Sequence, residues 1–228
     1  MQFRHQLRYH LIRLLRCSHD AADAHCQNGD IRIDGIVETN ARRILEPHQE
    51  IRLLDTVLRK GIQRKYILFY KPHGYECTTN RAIANNMFEV IPEEFQDLFP
   101  LGRLDINSEG LLLLTNDGQV YRELMSLEAK VEKEYEVTTW HPVTMELEKS
   151  FTEPFQLGPR TTLPAVFEKL DAFCFRVVLT EGINRHIRRI CAKNENQVRQ
   201  LVRVRFGRYV LGDLKPGEWL EVEQLIDQ

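Results

Sequence analysis

The sequence predicts an α+β protein in which a small N-terminal module precedes a larger domain built on a mixed, largely antiparallel sheet. Segments that alternate apolar and polar residues, as strands do, are interspersed with segments of helical spacing, and no strict strand–helix–strand rhythm connects them. A chain of 228 residues with 43% hydrophobic residues is long enough for two such domains. We expect the first at residues 1–58 and the second at residues 64–228.

Composition excludes several classes of protein. No run of about 18 apolar residues is present, so we expect no membrane span. The opening segment MQFRHQLRYH lacks the apolar region of a signal peptide, and we expect it to be a mature start. The cysteines are odd in number and form no CxxC pair, which favours a reducing cytoplasm over a disulfide framework. They are Cys17, Cys26, Cys77, Cys174 and Cys191.

Charge is distributed unevenly along the chain, although the net charge is only −2. Residues 1–65 carry 12 basic and 8 acidic side chains, and residues 181–208 carry 8 and 2. Residues 66–180 between them carry 10 basic and 18 acidic side chains. A fold that brings the two basic segments to one face creates a positive patch, which is the footprint of a polyanion site. The alternative is random clustering on a solvated surface.

The N-terminal module has the pattern helix, helix, then short strands. The segment HQLRYHLIRLL has leucines at helical spacing, and Ser18 is a plausible cap for a second helix, HDAADAHCQ. NGDIRIDG predicts a turn, a short strand and a second turn, and QEIRLLDTVL predicts a further strand. This order resembles the RNA-binding domain first seen in ribosomal protein S-four. A metal site on the helix pair is the alternative, but the spacing fits no structural zinc pattern. Its ligands would be Cys17, His19, His25 and Cys26.

The second domain begins after a charged linker, RKGIQRK. The segment YILFY predicts a strand that ends in a turn, and Pro92 opens a short helix in PEEFQDLF. Asp117 can cap a further helix. The apolar positions of that helix are Val120, Leu124 and Leu127.

The rest of the second domain alternates strand and helix patterns. KEYEVTTW places Tyr135 and Val137 on one face of a strand. FCFRVVL places Phe173 and Phe175 on one face of another. EGINRHIRRICAKN has helical spacing, with arginines on or beside the face opposite its apolar stripe. LKPGEWLEV predicts a turn into a last strand.

Three features of the second domain carry unusual chemistry. In GRLDINSEGLLLLTNDG, Asp105 follows Arg103 in a glycine-bracketed turn before an apolar run. Tyr135 follows Lys133 on a predicted strand, and arginines lie at residues 185–189. Guanidinium groups fit phosphate oxygens, and an aromatic ring supplies a stacking surface for a base. Together the features predict an acid that acts on a nucleotide bound through its phosphates.

Each feature also has a structural interpretation. Asp105 can cap a turn with Ser108, Tyr135 can belong to a core, and the arginines can form a solvated helix face. The conjunction of all three favours the functional interpretation.

The motifs resemble those of the bacterial rRNA pseudouridine synthases, in the RsuA-type branch typified by the small-subunit uridine enzyme. The resemblance covers most of residues 64–222. GRLDINSEGLLLLTNDG closely resembles the family signature, and YKPHGY resembles the first motif. KEYEV resembles the motif with the active-site tyrosine, EGINRHIRRI with VRQLVRVRFG resembles the third motif, and LKPGEWLEV resembles the usual ending.

The resemblance implies that the chain isomerises a specific uridine to pseudouridine in ribosomal RNA, without a cofactor or a metal. The N-glycosidic bond breaks, the uracil turns, and a carbon–carbon bond to the ribose forms. The family's essential aspartate maps onto Asp105, which acts on the flipped nucleotide as a nucleophile or by taking a proton from the ribose. Arg188 matches the basic residue that pairs with this aspartate, and Tyr135 matches the tyrosine that packs on the uracil.

The resemblance also implies which residues bind the RNA. Arg103 matches the residue that enters the RNA stack when the base leaves, and Leu201 matches a leucine packed beneath the site. His186 stands where the family usually has Gln. The predicted substrate-binding residues are Lys71, Arg103, Arg185, His186, Arg189 and Leu201. The expected partner is small-subunit or large-subunit ribosomal RNA, and we expect a cytoplasmic monomer.

Two other functions are compatible with parts of the sequence. One is a non-catalytic RNA-binding ribosome-assembly factor with the same fold, which would not need Asp105, Tyr135 and Arg188 together. The other is a small-molecule hydrolase that pairs Asp105 with one of the eight histidines, although no GxSxG or metal-ligand motif supports it.

Overall fold

The computed structural model describes residues 5–126 and 129–225, and the chain divides into two compact units. The first unit is Met1–Arg64 and the second is Lys65–Gln228. Helices and strands are mixed in both units, and the predicted α+β class is confirmed.

Two helices followed by a four-stranded antiparallel sheet form the first unit. Ser18 caps the second helix as predicted, because its hydroxyl accepts a hydrogen bond from the Ala21 N–H at 3.2 Å. The core packs apolar side chains of both helices against the sheet. The elements are α1 (Leu7–Leu15), α2 (His19–Gln27), β1 (Ile31–Ile33), β2 (Ile36–Val37), β3 (Ile51–Leu53) and β4 (Thr56–Arg59), and the sheet order is β2-β1-β3-β4.

The segment QEIRLLDTVL forms two strands, β3 and β4, where the sequence predicted one. The chain reverses at Leu54, whose φ of +51° lies in the left-handed region that usually takes glycine. Arg59 was predicted to begin the linker, but it ends β4 and its guanidinium donates to the carbonyls of Glu46 and Gln49 at 3.1 and 3.0 Å. The first unit therefore extends beyond residue 58.

The second unit contains eleven more strands, counted over the residues that the structure describes: nine form one large sheet, and β9 and β10 form a separate hairpin. The elements are β5 (Tyr66–Lys71), single-turn 3-10 helices at Met87–Glu89 and Glu93–Phe95, β6 (Phe99–Leu101), β7 (Glu109–Thr115), α3 (Gly118–Met125), β8 (Lys133–Thr139), α4 (Met145–Thr152), β9 (Gln156–Leu157), β10 (Arg160–Thr161), β11 (Val166–Lys169), β12 (Cys174–Leu179), α5 (His186–Lys193), β13 (Val198–Phe206), β14 (Tyr209–Val210) and β15 (Trp219–Glu221).

The large sheet has the order β11-β12-β8-β13-β7-β5-β15, with β14 paired to β13 and β6 paired to β7. Over the described part of the chain, β13 and β7 form its one parallel pair, and the other neighbours are antiparallel. The prediction of a mixed, largely antiparallel sheet is therefore confirmed.

Strands β5 and β7 are buried on both faces. Ile67 and Phe69 of β5 pack with Leu112 of β7 in one apolar cluster, and Leu111 and Leu113 belong to a second cluster. The turn that precedes β7 therefore leads directly into one of the most buried strands of the sheet. The packing of β7 holds that end of the turn in position.

Three local predictions for the second unit have definite outcomes, and a fourth falls outside the described residues. Asp117 caps α3 as predicted, whereas Leu127 lies outside the described residues. The segment opened by Pro92 forms a 3-10 turn rather than an α-helix. Phe173 was predicted to share a strand face with Phe175, but it precedes β12 and is 45% exposed.

Candidate active site

Asp105 lies in the turn that joins β6 to β7. The Ser108 N–H donates to the Asp105 carbonyl at 3.0 Å and closes the turn. The Asp105 carboxylate is half-buried and accepts no hydrogen bond from the described residues. It does not cap its own turn with Ser108, because backbone groups close the turn and the Ser108 hydroxyl is buried without a partner among those residues.

Donors from distant segments fix the backbone around Asp105. The Gly74 N–H donates to the Ile106 carbonyl at 2.8 Å, and the Arg188 guanidinium donates to the Asn107 carbonyl. Lys71 and Arg203 bond further carbonyls of the same segment. A turn held from several sides presents its carboxylate in one position, which is the pre-organisation that a catalytic group needs.

Lys71 supports the turn from inside the protein. Its side chain is fully buried, and its amine donates to the carbonyls of Pro72 and Ser108 at 2.7 and 2.8 Å. Burial lowers the pKa of Lys71 to about 8, although Cys77 and then other acidic groups, Asp105 among them, oppose this. The substrate-binding role of Lys71 stays a prediction; backbone carbonyls take two of the three donors of its ammonium group.

Arg203 is a second buried cation beside the turn, and sequence reasoning did not single it out. Its side chain is 2% exposed, and it donates to the carbonyls of Leu111 at 2.7 Å and Arg103 at 3.4 Å. Its second terminal nitrogen has no partner among the described residues. The sequence did contain a signal for a buried arginine: Arg203 lies two positions after the apolar Leu201, on the same inward face of β13, where an arginine is unusual.

Gly110 brings β7 and β13 close enough for these contacts. Its φ is +103°, and a side chain there would lie 2.4 Å from the carbonyl oxygen of Arg203. Only glycine fits this backbone position.

Helix α5 carries Arg188 to the turn. Besides its bond to Asn107, Arg188 donates to the Val198 carbonyl at 3.3 Å. Burial lowers the pKa of Arg188, Arg185 lowers it further, and Asp105 raises it. Arg188 thus interacts with Asp105 electrostatically while its hydrogen bonds go to backbone carbonyls, with no direct ion pair between the two described side chains.

The other predicted residues of this segment have different environments. Arg185 precedes α5 with a φ of +50° and is exposed. Arg189 is half-buried and donates to the Leu157 carbonyl at 3.2 Å. His186 is 5% exposed, burial lowers its pKa, and neither ring nitrogen has a partner among the described residues. Its contact with RNA stays a prediction, and the side chain is buried in this structure.

Tyr135 and Leu201 lie on adjacent strands of the sheet. Tyr135 of β8 pairs with Arg203 of β13, and Leu201 pairs with Val137 one position along the same face. Tyr135 is half-buried and packs against the apolar cluster that includes Leu201, which is 6% exposed. The core therefore covers the Tyr135 side chain only in part.

Arg103 is the exposed cation of the turn. Its Nε donates to the Cys77 carbonyl at 3.1 Å, and its terminal nitrogen lies 3.8 Å from the Glu76 carboxylate. The side chain is 72% exposed, so the interaction with Glu76 is weak and leaves the guanidinium available to a ligand.

The arrangement supports chemistry at a carboxylate beside bound phosphate. The carboxylate of Asp105 is free of hydrogen bonds from described residues, its backbone is fixed, and the cations Lys71 and Arg188 act on it electrostatically. No described histidine bonds to Asp105, so the hydrolase alternative lacks its base.

Neither a metal cluster nor a membrane span is found in the part of the chain that the structure describes. No three His, Cys, Asp or Glu side chains converge there, and His25 of the N-terminal helix pair bonds Asp30 at 2.9 Å. No described helix combines the length and the hydropathy that crossing a bilayer requires.

The fold and this site define an enzyme that acts on nucleotides within RNA. The family model described as RNA pseudouridylate synthase matches residues 65–193, which include Asp105, Tyr135 and Arg188. The chain belongs to this family and is an RNA pseudouridine synthase.

Curated relatives and a solved structure agree with this assignment. The dual-specificity RNA pseudouridine synthase RluF of Escherichia coli K12 is 29% identical over 92% of this chain and 73% of its own. The ribosomal small subunit pseudouridine synthase A of Pseudomonas aeruginosa is 31% identical over 84% of this chain and 85% of its own. A crystal structure of a pseudouridylate synthase superposes with a TM-score of 0.67 at 25% identity, over 95% of both chains.

Proposed function

We propose that this chain isomerises one specific uridine in ribosomal RNA, with Asp105 as the reacting carboxylate. The observation that carries the proposal is a carboxylate without a hydrogen-bond partner among the described residues, on a turn fixed by Lys71, Arg188 and Arg203. The printed name of the Pseudomonas aeruginosa relative, a ribosomal small subunit enzyme, supports ribosomal RNA as the substrate.

Each residue near the turn has a role in this proposal. Asp105 attacks the ribose or takes a proton from it when the glycosidic bond breaks. Tyr135 packs on the uracil, which its partial exposure allows, and Leu201 supports Tyr135 from below. Arg188 keeps a positive charge beside Asp105 while it holds the turn.

The target uridine has to leave its stack before Asp105 can reach the glycosidic bond. Unstacking costs a few kcal/mol, and a side chain that enters the vacated space offsets part of it. Arg103 is suited to this role, because it is exposed and belongs to the same turn as Asp105.

The site needs one chain only, and we propose that the enzyme acts as a monomer in the cytoplasm. All the residues assigned a role in the reaction come from the second unit of the same chain. The substrate is ribosomal RNA, which is found in the bacterial cytoplasm.

The direct test is a comparison of ribosomal RNA from cells with and without the gene. Loss of one pseudouridine in either subunit RNA, restored by the purified chain in vitro, is the expected result. Tritium release from labelled uridine measures the same reaction. An unchanged modification map together with no tritium release would leave the assembly-factor alternative as the better explanation.

We also propose that the first unit, the S-four-like module, is an RNA-binding domain. A chain that begins at Lys65 should fold, because its sheet and apolar clusters lie within the second unit. It should bind rRNA about a hundredfold more weakly, as expected when one of two linked binding modules is lost. Aggregation or non-cooperative melting of the truncated chain would contradict the proposed division.

Arg185 and Arg189 should respond differently to substitution by alanine. Arg185→Ala should weaken RNA binding and reduce the slope of log affinity against log salt by about one unit, because an exposed guanidinium releases one counterion. Arg189→Ala is the matched control and should change the slope little, since that guanidinium bonds the Leu157 carbonyl. A slope that Arg185→Ala leaves unchanged would mean that this arginine is only solvated.

A further inference from the structure

A cleft of about 530 Å³ opens beside Arg103 in the second unit. Ligand sites in proteins commonly measure about 300–1,000 Å³, so the cleft is large enough for a nucleotide. Its lining residues come from the segment before β6, from β6 itself, from the turn that follows β6 and from α3. They are Cys77, Thr78, Thr79, Phe99, Pro100, Gly102, Arg103, Gly118, Tyr121 and Arg122.

One wall of the cleft carries an aromatic ring in a fixed position. The ring of Tyr121 is 44% exposed and meets the ring of Phe99 edge-on, with centroids 5.7 Å apart. Helix α3 holds Tyr121, and the helix is itself anchored by the buried Asp117, which accepts hydrogen bonds from Gln119 and Tyr66. A partly exposed ring on a rigid helix is a suitable stacking surface for a nucleobase.

The polar groups of the cleft favour an anion. Arg103 and Arg122 supply two guanidinium groups, and Thr78 and Thr79 supply hydroxyls. None of the described residues that line the cleft carries a carboxylate. The combination of an aromatic face and guanidinium groups matches a base joined to a phosphate.

Arg103 also connects the cleft to the candidate active site. It lies two residues before Asp105, and its own carbonyl is held by Arg203 beneath the same turn. A strand of RNA whose target uridine reaches Asp105 would pass Arg103, so the neighbouring nucleotide of that strand lies within reach of the cleft.

We propose that this cleft binds a nucleotide next to the target uridine, with its base on Tyr121 and its phosphate on Arg122 and the threonine hydroxyls of the cleft. The proposal rests on the proposed function, and it assigns Tyr121 to recognition of the RNA around the target. The site selects an RNA whose flanking nucleotide can leave its own stack.

The first test uses a series of rRNA fragments that lack one base at each position flanking the target uridine. Wild-type enzyme should bind one member of the series about tenfold more weakly than the intact fragment, because one stacking contact is lost. Equal binding of every flanking abasic fragment and the intact one would overturn the proposal. This test needs no variant and depends only on binding.

The second test compares Tyr121→Ala with wild type on the same series. Tyr121→Ala should raise KM for the intact fragment about tenfold and leave kcat unchanged. The variant should bind the intact fragment and the abasic fragments with equal affinity. Tyr121→Phe keeps the ring and should restore the wild-type KM. Phe173→Ala is the matched control, because the ring of Phe173 lies outside the cleft and is 45% exposed against 44% for Tyr121. This substitution should leave KM and kcat unchanged.

The outcomes separate this proposal from the proposed function. An enzyme that forms no pseudouridine but distinguishes the abasic fragments through Tyr121 contradicts only the proposed reaction. An active enzyme for which Tyr121→Ala retains the wild-type preference among those fragments contradicts only the nucleotide cleft.

Discussion

Asp105→Asn should lower the rate of pseudouridine formation by about 10³-fold or more, the loss expected when a reacting group is removed. The amide has nearly the shape of the carboxylate, but it neither accepts a proton at the working pH nor attacks a sugar carbon. RNA binding should remain, because phosphate contacts supply most of the affinity. The measurement pairs tritium release from labelled uridine with equilibrium binding to the same rRNA fragment.

Asp213→Asn is the control for this substitution. Asp213 is also in the second unit, it is exposed, and it forms no hydrogen bond or ion pair with the described residues. Its replacement should leave the rate unchanged. Retained turnover in Asp105→Asn would contradict the assignment of Asp105, and a variant that neither folds nor binds would identify Asp105 as a structural residue of its turn.

Gly110→Ala should destabilise the second unit by about 3 kcal/mol or more, since a new methyl group would lie 2.4 Å from a backbone oxygen. The φ of +103° adds strain that an alanine cannot relieve locally. Relief of this clash requires β7 to separate from β13. That separation would pull Arg203 away from the carbonyls of Leu111 and Arg103. Thermal unfolding should show a fall in Tm of about 6–12 °C for a unit of this size.

Gly182→Ala is the matched substitution, because nothing lies within 4 Å of the position that its methyl group would take. Its Tm should stay within about 2 °C of wild type. A Gly110→Ala protein with the wild-type Tm would show that β7 and β13 can separate without cost, and that the turn before β7 is less rigid than its hydrogen bonds indicate.

Local patterns in the sequence predicted the turn that carries Asp105, the strand that carries Tyr135 and the helix that carries Arg188. Alternation predicted the face of Tyr135, and the run Leu111–Leu114, noted in the sequence only as apolar, forms a buried strand after the Asp105 turn. These features depend on residues close together in the chain, where side-chain periodicity is informative. The mixed sheet followed from the same patterns.

The support of the turn could not be predicted, because it depends on residues far apart in sequence. Lys71 meets a carbonyl 37 positions away, and Arg203 meets one 100 positions away. Lys71 was assigned to RNA binding through the family resemblance, and Arg203 was not singled out, because cations usually lie at the surface and a buried supporting role is not visible in the sequence. The chain reversal between β3 and β4 could not be predicted from the sequence either, because Leu54 has a backbone conformation that leucine seldom adopts.

The pairing of β15 with β5 has a consequence for the synthesis of the protein. Trp219 pairs with Phe69, and its ring meets Phe95 edge-on at 4.6 Å. At translation rates of about 5–20 residues per second, the earlier strand waits roughly 8–30 s for this partner. During that interval an apolar strand has an open edge, to which another nascent chain can add. Slower elongation should therefore lengthen the exposure of this edge and favour aggregation through β5, and faster elongation should shorten it.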